Sequence, residues 1–129
     1  MKIHHIGYLV KDIKKSVEQF KDLGYSIEVD ILYDESRDVE ICFMINAGYR
    51  IELVSPCSEQ SVVYEQLKRI GNSPYHVCYV VSDINQEMQR LRERKYVIMI
   101  QPQRAVAFAG KRVVFLYHRN VGMIELVEE

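Results

Sequence analysis

Two stretches of this 129-residue chain repeat each other, and that repeat constrains the fold more than any other feature. His5 to Ile13 (HIGYLVKDI) aligns with His76 to Ile84 (HVCYVVSDI), identical at the His, Tyr, second Val, Asp and Ile, 71 residues apart from 5 to 76. Ile51 to Val54 (IELV) recurs unchanged as Ile124 to Val127, 73 residues apart from 51 to 124. Two similar half-domains therefore follow one another within one domain covering 1–129: module one at about 1–55, a linker at about 56–72 and module two at about 73–129.

Each half carries the same order of local signals. Residues 2–10 are β-branched and aromatic enough for a strand, and Asp12 is placed as N-cap of a helix whose stripe is Ile13, Val17, Phe20 and Leu23. Gly24 then ends that helix. Extended stretches follow at 25–33, 38–46 and 49–55, with Asn46-Ala-Gly48 as the turn between the last two. The second half repeats the pattern: a strand at 75–82, a helix from Asp83 with Ile84, Met88 and Leu91 on one face, then strands at 95–101, 112–118 and 122–128. The reading is β-α-β-β-β twice, an α+β fold. The linker from Pro56 to Asn72 is expected to hold a short helix buried through Val62, Val63, Leu67 and Ile70.

Neighbours in a strand alternate faces, so a Glu inside the apolar run Ile51, Leu53, Val54 needs a reason, and Glu125 inside Ile124, Leu126, Val127 needs the same one. Burying a carboxylate is costly unless something positive compensates it. The first strand of each repeat offers a histidine, His5 and His76. If the repeats pack about a pseudo-twofold axis, two imidazoles and two carboxylates converge, a donor set suited to one divalent ion such as Zn, Ni, Co, Mn or iron(II). Two glutamates neutralise a dication and leave positions open for substrate oxygens, so the site is read as catalytic. His4 faces away from His5 and His118 has no counterpart, so both are read as structural or solvent-facing.

Other features set limits. A formal net charge of −1 leaves no basic excess for a phosphate backbone, so nucleic acid is not expected as a partner. The apolar runs are short and the N-terminus lacks a secretory pattern, so neither a membrane span nor secretion is expected, and the cytoplasm is the expected location. Cys42, Cys57 and Cys78 lack CxxC spacing and are read as reduced thiols, with Cys42 and Cys78 as small strand residues. Glu28, Asp30, Asp34 and Glu35 are read as a solvated acidic rim.

The whole chain resembles the vicinal oxygen chelate superfamily, through HHIGYLVKDI, YRIELVSP, PYHVCYVVSDI and GMIELVEE as its four metal-bearing strands. That resemblance implies a mixed sheet cupped around one divalent ion, with His5, Glu52, His76 and Glu125 as its ligands, and a homodimer. Within the superfamily the chain is most similar to methylmalonyl-CoA epimerase, on GKRVVFLYHRNVGMIELVE, IELVSPCSEQSVVYEQL and YHVCYVVSDI. The epimerase resemblance implies an α-proton shift on a small-molecule CoA thioester, with Glu125 and Glu40 (in DVEICFMIN) as proton carriers on opposite faces of an enolate. Characterised epimerases typically have glutamine as the second ligand, whereas this chain has Glu52, as bacterial glyoxalase I does. The segment RAVAFAG, Arg104 to Gly110, is also less polar than a CoA site suggests. The rival readings are glyoxalase I acting on a glutathione hemithioacetal, a metal-free binding or resistance protein of the same fold, and an extradiol dioxygenase.

Overall fold

The computed structural model describes residues 1–129. Its elements run β1 (Lys2–Leu9), α1 (Ile13–Asp22), β2 (Ser26–Asp34), β3 (Val39–Asn46), β4 (Tyr49–Pro56), α2 (Tyr64–Ile70), β5 (Ser73–Val81), α3 (Ile84–Glu93), β6 (Val97–Arg104), a 3-10 turn (Val106–Phe108), β7 (Arg112–His118) and β8 (Gly122–Glu128). This is the β-α-β-β-β order twice over, and the strands form one eight-stranded mixed sheet in the order β2-β3-β4-β1-β5-β8-β7-β6. The chain divides into two compact units, His5–Tyr75 and Met1–His4 with His76–Glu129. No helix is long and apolar enough to cross a membrane.

In the unit His5–Tyr75 the Asp12 carboxylate accepts the Lys15 amide at 3.1 Å and starts α1, which presses Ile13 and Val17 onto Val10, Cys42, Met44, Ile51 and Leu53. Truncating a fully buried member such as Leu53 to alanine costs about 2 to 5 kcal/mol. Strands β3 and β4 are joined by a two-residue turn in which Ala47 has φ 49° and Gly48 φ 85°, the paired left-handed residues that suit the twist of a hairpin. That tight turn fixes the register: Phe43 lies opposite Glu52, and Glu40 opposite Ser55.

The second unit repeats the plan. Asp83 caps α3 by accepting the Asn85 and Gln86 amides, each at 3.0 Å, and Ile84 and Leu91 pack on Val81, Val114, Leu116, Ile124 and Leu126. On the opposite face, Cys78, Ala105, Val113 and Val127 form a separate cluster with Val80 and Phe108.

Three local expectations change. Helix α2 spans only seven residues and buries none of them; Val63, just before it, is buried, whereas Val62 and Ile70 are exposed, because so short a helix cannot sustain a stripe. Leu23 caps α1 from the solvent side rather than joining its stripe. Strand β6 extends to Arg104 with irregular pairing to β7 and runs into the 3-10 turn.

Candidate metal centre

In the unit His5–Tyr75 the parallel register of β1 and β4 sets Gly7 beside Glu52. His5 shares a face with Gly7, two residues on, so the Glu52 side chain meets the imidazole across a position that has no side chain of its own. Nε2 of His5 lies 3.3 Å from Oε1 of Glu52, and both residues are buried. Phe43, opposite Glu52 on β3, sets its ring edge against His5, centroids 5.3 Å apart and planes at 73°.

The second unit builds the same arrangement from its own strands. The β5 and β8 register puts Cys78 beside Glu125, so His76, two residues before Cys78, shares that face. Nε2 of His76 lies 3.0 Å from Oε2 of Glu125, again buried. Phe115 lies opposite Glu125 and stands edge-on to His76, centroids 5.2 Å apart and planes at 86°. The sequence reading did not single out Phe43 and Phe115. Their signal was available, since they recur 72 residues apart, between the two offsets of the repeat.

His5, Glu52, His76 and Glu125 form one buried cluster, with donor atoms all within 4.8 Å of one another. Two imidazole nitrogens with two carboxylate oxygens are donors that first-row divalent ions accept, and the two carboxylates offset the charge of a dication. The donor set fits a divalent metal site.

Glu40 is not brought to these pairs. The register that sets Phe43 against Glu52 turns Glu40 to the other face of β3, level with Ser55 on one side and Tyr33 on the other, and in phase with Cys42 and Met44 beneath α1. The residues of β3 that share the Glu52 face are Val39, Ile41, Phe43 and Ile45, none of which can carry a proton.

The acidic rim also needs correction at Asp34, which is buried. Its carboxylate accepts Ser36 Oγ at 2.7 Å, the Arg37 amide at 3.3 Å and Arg37 Nη1 at 2.7 Å. Burial alone would raise its pKa, but the bonds from Ser36 and Arg37 outweigh that and hold it below the usual carboxylate value. Glu28 sits in a forked pair with Arg50, at 2.6 and 3.0 Å.

His4 stands edge-on to Phe108 at 5.2 Å, and His118 accepts the Asn120 amide at Nδ1 while its ring lies 4.8 Å from that of Tyr96. No disulfide links the three cysteines; burial, with a contribution from Asp30, pushes the Cys42 thiol up to about 11, so it is no thiolate near neutral pH.

Comparison with known proteins agrees with this geometry. Residues 4–115 match the model of the glyoxalase/bleomycin resistance protein/dioxygenase superfamily. The ethylmalonyl-CoA/methylmalonyl-CoA epimerase of Cereibacter sphaeroides is 28% identical over 122 residues, covering 92% of this chain and 90% of its own. The mitochondrial methylmalonyl-CoA epimerase of Bos taurus is 28% identical over 129 residues, covering 98% of this chain and 72% of its own. The crystal structure of methylmalonyl-CoA epimerase from Mycobacterium tuberculosis superposes with a TM-score of 0.85 at 25% identity, over 98% of this chain and 87% of that one.

Proposed function

Since the chain belongs to the glyoxalase/bleomycin resistance protein/dioxygenase superfamily, we propose that it is a divalent-metal-dependent epimerase that moves the α-proton of a small CoA thioester. The observation that carries this reading is the buried cluster of His5, Glu52, His76 and Glu125, one His and one Glu from each repeat, in a chain similar to epimerases along nearly its whole length. A divalent ion bound there would act as a Lewis acid toward the carbonyl oxygen of the thioester, which makes its α-proton removable.

The chain's own groups do the rest. His5 and His76 are braced by Phe43 and Phe115, so each imidazole keeps one orientation, and the burial of all four residues keeps water from quenching the carbanionic carbon. A shift that takes a proton off one face of a planar enolate and returns one to the other face needs two carriers. The sequence reading gives these roles to Glu40 and Glu125; Glu40 faces the other side of β3 from Glu52, and in the present reading the two carboxylates of the cluster, Glu52 and Glu125, take them.

Incubating one resolved enantiomer of methylmalonyl-CoA in deuterated water with metal-loaded protein tests the proposal. Inversion with uptake of solvent deuterium is expected. Absence of both exchange and inversion, with conversion of the glutathione hemithioacetal of methylglyoxal, would replace it by the glyoxalase reading, which the Glu52 ligand also suits.

A further inference from the structure

A second feature of the unit His5–Tyr75 lies apart from the four clustered residues. Where β1 and β4 end, the loop after β1 and helix α2 enclose a half-open cleft of about 460 Å³, within the range of small-molecule sites. Pro56, Tyr64 and Leu67 give it apolar walls, and Lys11 and Lys68 stand at its rim. No carboxylate lines the cleft itself, although the lining Ser58 donates to Asp38 from behind; the ammonium groups of Lys11 and Lys68 are the charged groups of its lining. Its floor is held in place: the Lys11 amide donates to Asn72 Oδ1 at 2.9 Å, and Ser55 Oγ donates to the Lys11 carbonyl at 3.1 Å.

An aromatic and aliphatic wall beside two cations suits a planar base carrying phosphates, because the ring gains contact area on Tyr64 and Leu67 while each phosphate gains a point charge. The cleft also stands at a useful distance. Pro56 follows Glu52 by four residues of one strand, about 13 Å along β4. A CoA thioester carries its adenosine bisphosphate at the far end of a long flexible arm, so its reacting and anionic ends must be held at separate places. We propose that this cleft receives the nucleotide end of the thioester, with the base against Tyr64 and Leu67 and the phosphates on Lys11 and Lys68. The inference rests on the thioester reading above and makes these residues determinants of specificity for CoA over glutathione adducts, which have no nucleotide to place there.

The test separates the two claims. Calorimetric titration with adenosine 3′,5′-bisphosphate, which lacks arm and acyl group, measures the cleft without any turnover. Wild-type protein should bind it, more weakly as salt rises, and the double variant Lys11→Glu, Lys68→Glu should bind at least about tenfold more weakly, the scale of losing charge-assisted bonds to phosphate. In kinetics, the wild-type preference in kcat/KM for the CoA thioester over its pantetheine analogue should collapse toward one in the double variant. Bisphosphate binding that survives both charge reversals, or a wild type with no preference between the two thioesters, overturns the cleft assignment whatever the reaction. Lysine-dependent bisphosphate binding in a protein that inverts no thioester upholds the cleft and removes the epimerase reading alone.

Discussion

The two halves of the molecule agree in plan and most closely where they bear the clustered residues, and they diverge at particular turns and loops. Each places a histidine two residues ahead of the position paired with its glutamate, and each stands a phenylalanine edge-on to that histidine. Yet the paired position is Gly7 in one half and Cys78 in the other. Helix α1 is followed by Gly24 with φ 96°, while Lys95 takes the same left-handed turn after α3 with φ 74°. The loop from β2 to β3 buries the ion pair of Asp34 and Arg37; the loop from β6 to β7 coils into a 3-10 turn around Ala105 and Phe108. The shared part is what holding a metal requires. The divergent parts set local stability in each half.

The largest expected effect falls on the shared part. Replacing His5 or His76 by alanine should weaken divalent-ion binding by more than about a hundredfold, since disturbing even an outer partner of a ligand commonly costs up to that much. Competition with a chelating indicator measures it. Equal losses in the two variants would bear out the equivalence of the halves; a loss in only one would break it.

Next comes Asp34, a device of one half only. Asp34→Asn leaves the half-buried Arg37 without its counter-charge and should cost about 1 to 3 kcal/mol by urea denaturation. The pH dependence follows from its lowered pKa: the stability Asp34 contributes is fully present above the ordinary Asp value of about 4 and is lost as pH falls through the lower folded value. The slope of stability against pH between about 4 and 2 should therefore be shallower in the Asn variant.

Lys95→Gly tests the two helix ends. A side chain at positive φ costs about 1 kcal/mol that glycine avoids, so this variant should gain roughly that much, making the second half resemble the first at Gly24. Differential scanning calorimetry would register the gain as a higher Tm; an unchanged or lower Tm would show that the Lys95 side chain offsets its own strain.

The smallest effect is expected at Glu40. On the far face of β3, Glu40→Gln should change turnover by less than about threefold, far below the hundredfold typical of a positioned general base. A hundredfold loss would overturn the assignment of Glu40 to a face away from the chemistry.

Much of this was legible in the sequence because it is local or repeated. Strand and helix order, the caps Asp12 and Asp83, the Ala47-Gly48 turn and the four cluster residues all follow from spacing and recurrence. What escaped depends on what lies opposite. The face of Glu40 is settled by the length of a turn six residues further on, since that length decides which β3 residue meets Glu52. Asp34 reads as solvated because its neighbours are charged, but its partner Arg37 sits three residues later across a turn that buries the carboxylate. Val62 and Ile70 fit a helical stripe that a seven-residue helix is too short to use.

If His5, Glu52, His76 and Glu125 hold one divalent ion together, the stoichiometry of metal binding follows. Equilibrium titration of metal-free protein with zinc or cobalt, with bound metal counted by elemental analysis, measures this most directly. Saturation is expected at one ion per chain, and the combined variant Glu52→Ala, Glu125→Ala should bind none. Saturation at two ions per chain, with each His and Glu pair loading independently, would contradict it, as would a wild-type protein that takes up no divalent ion.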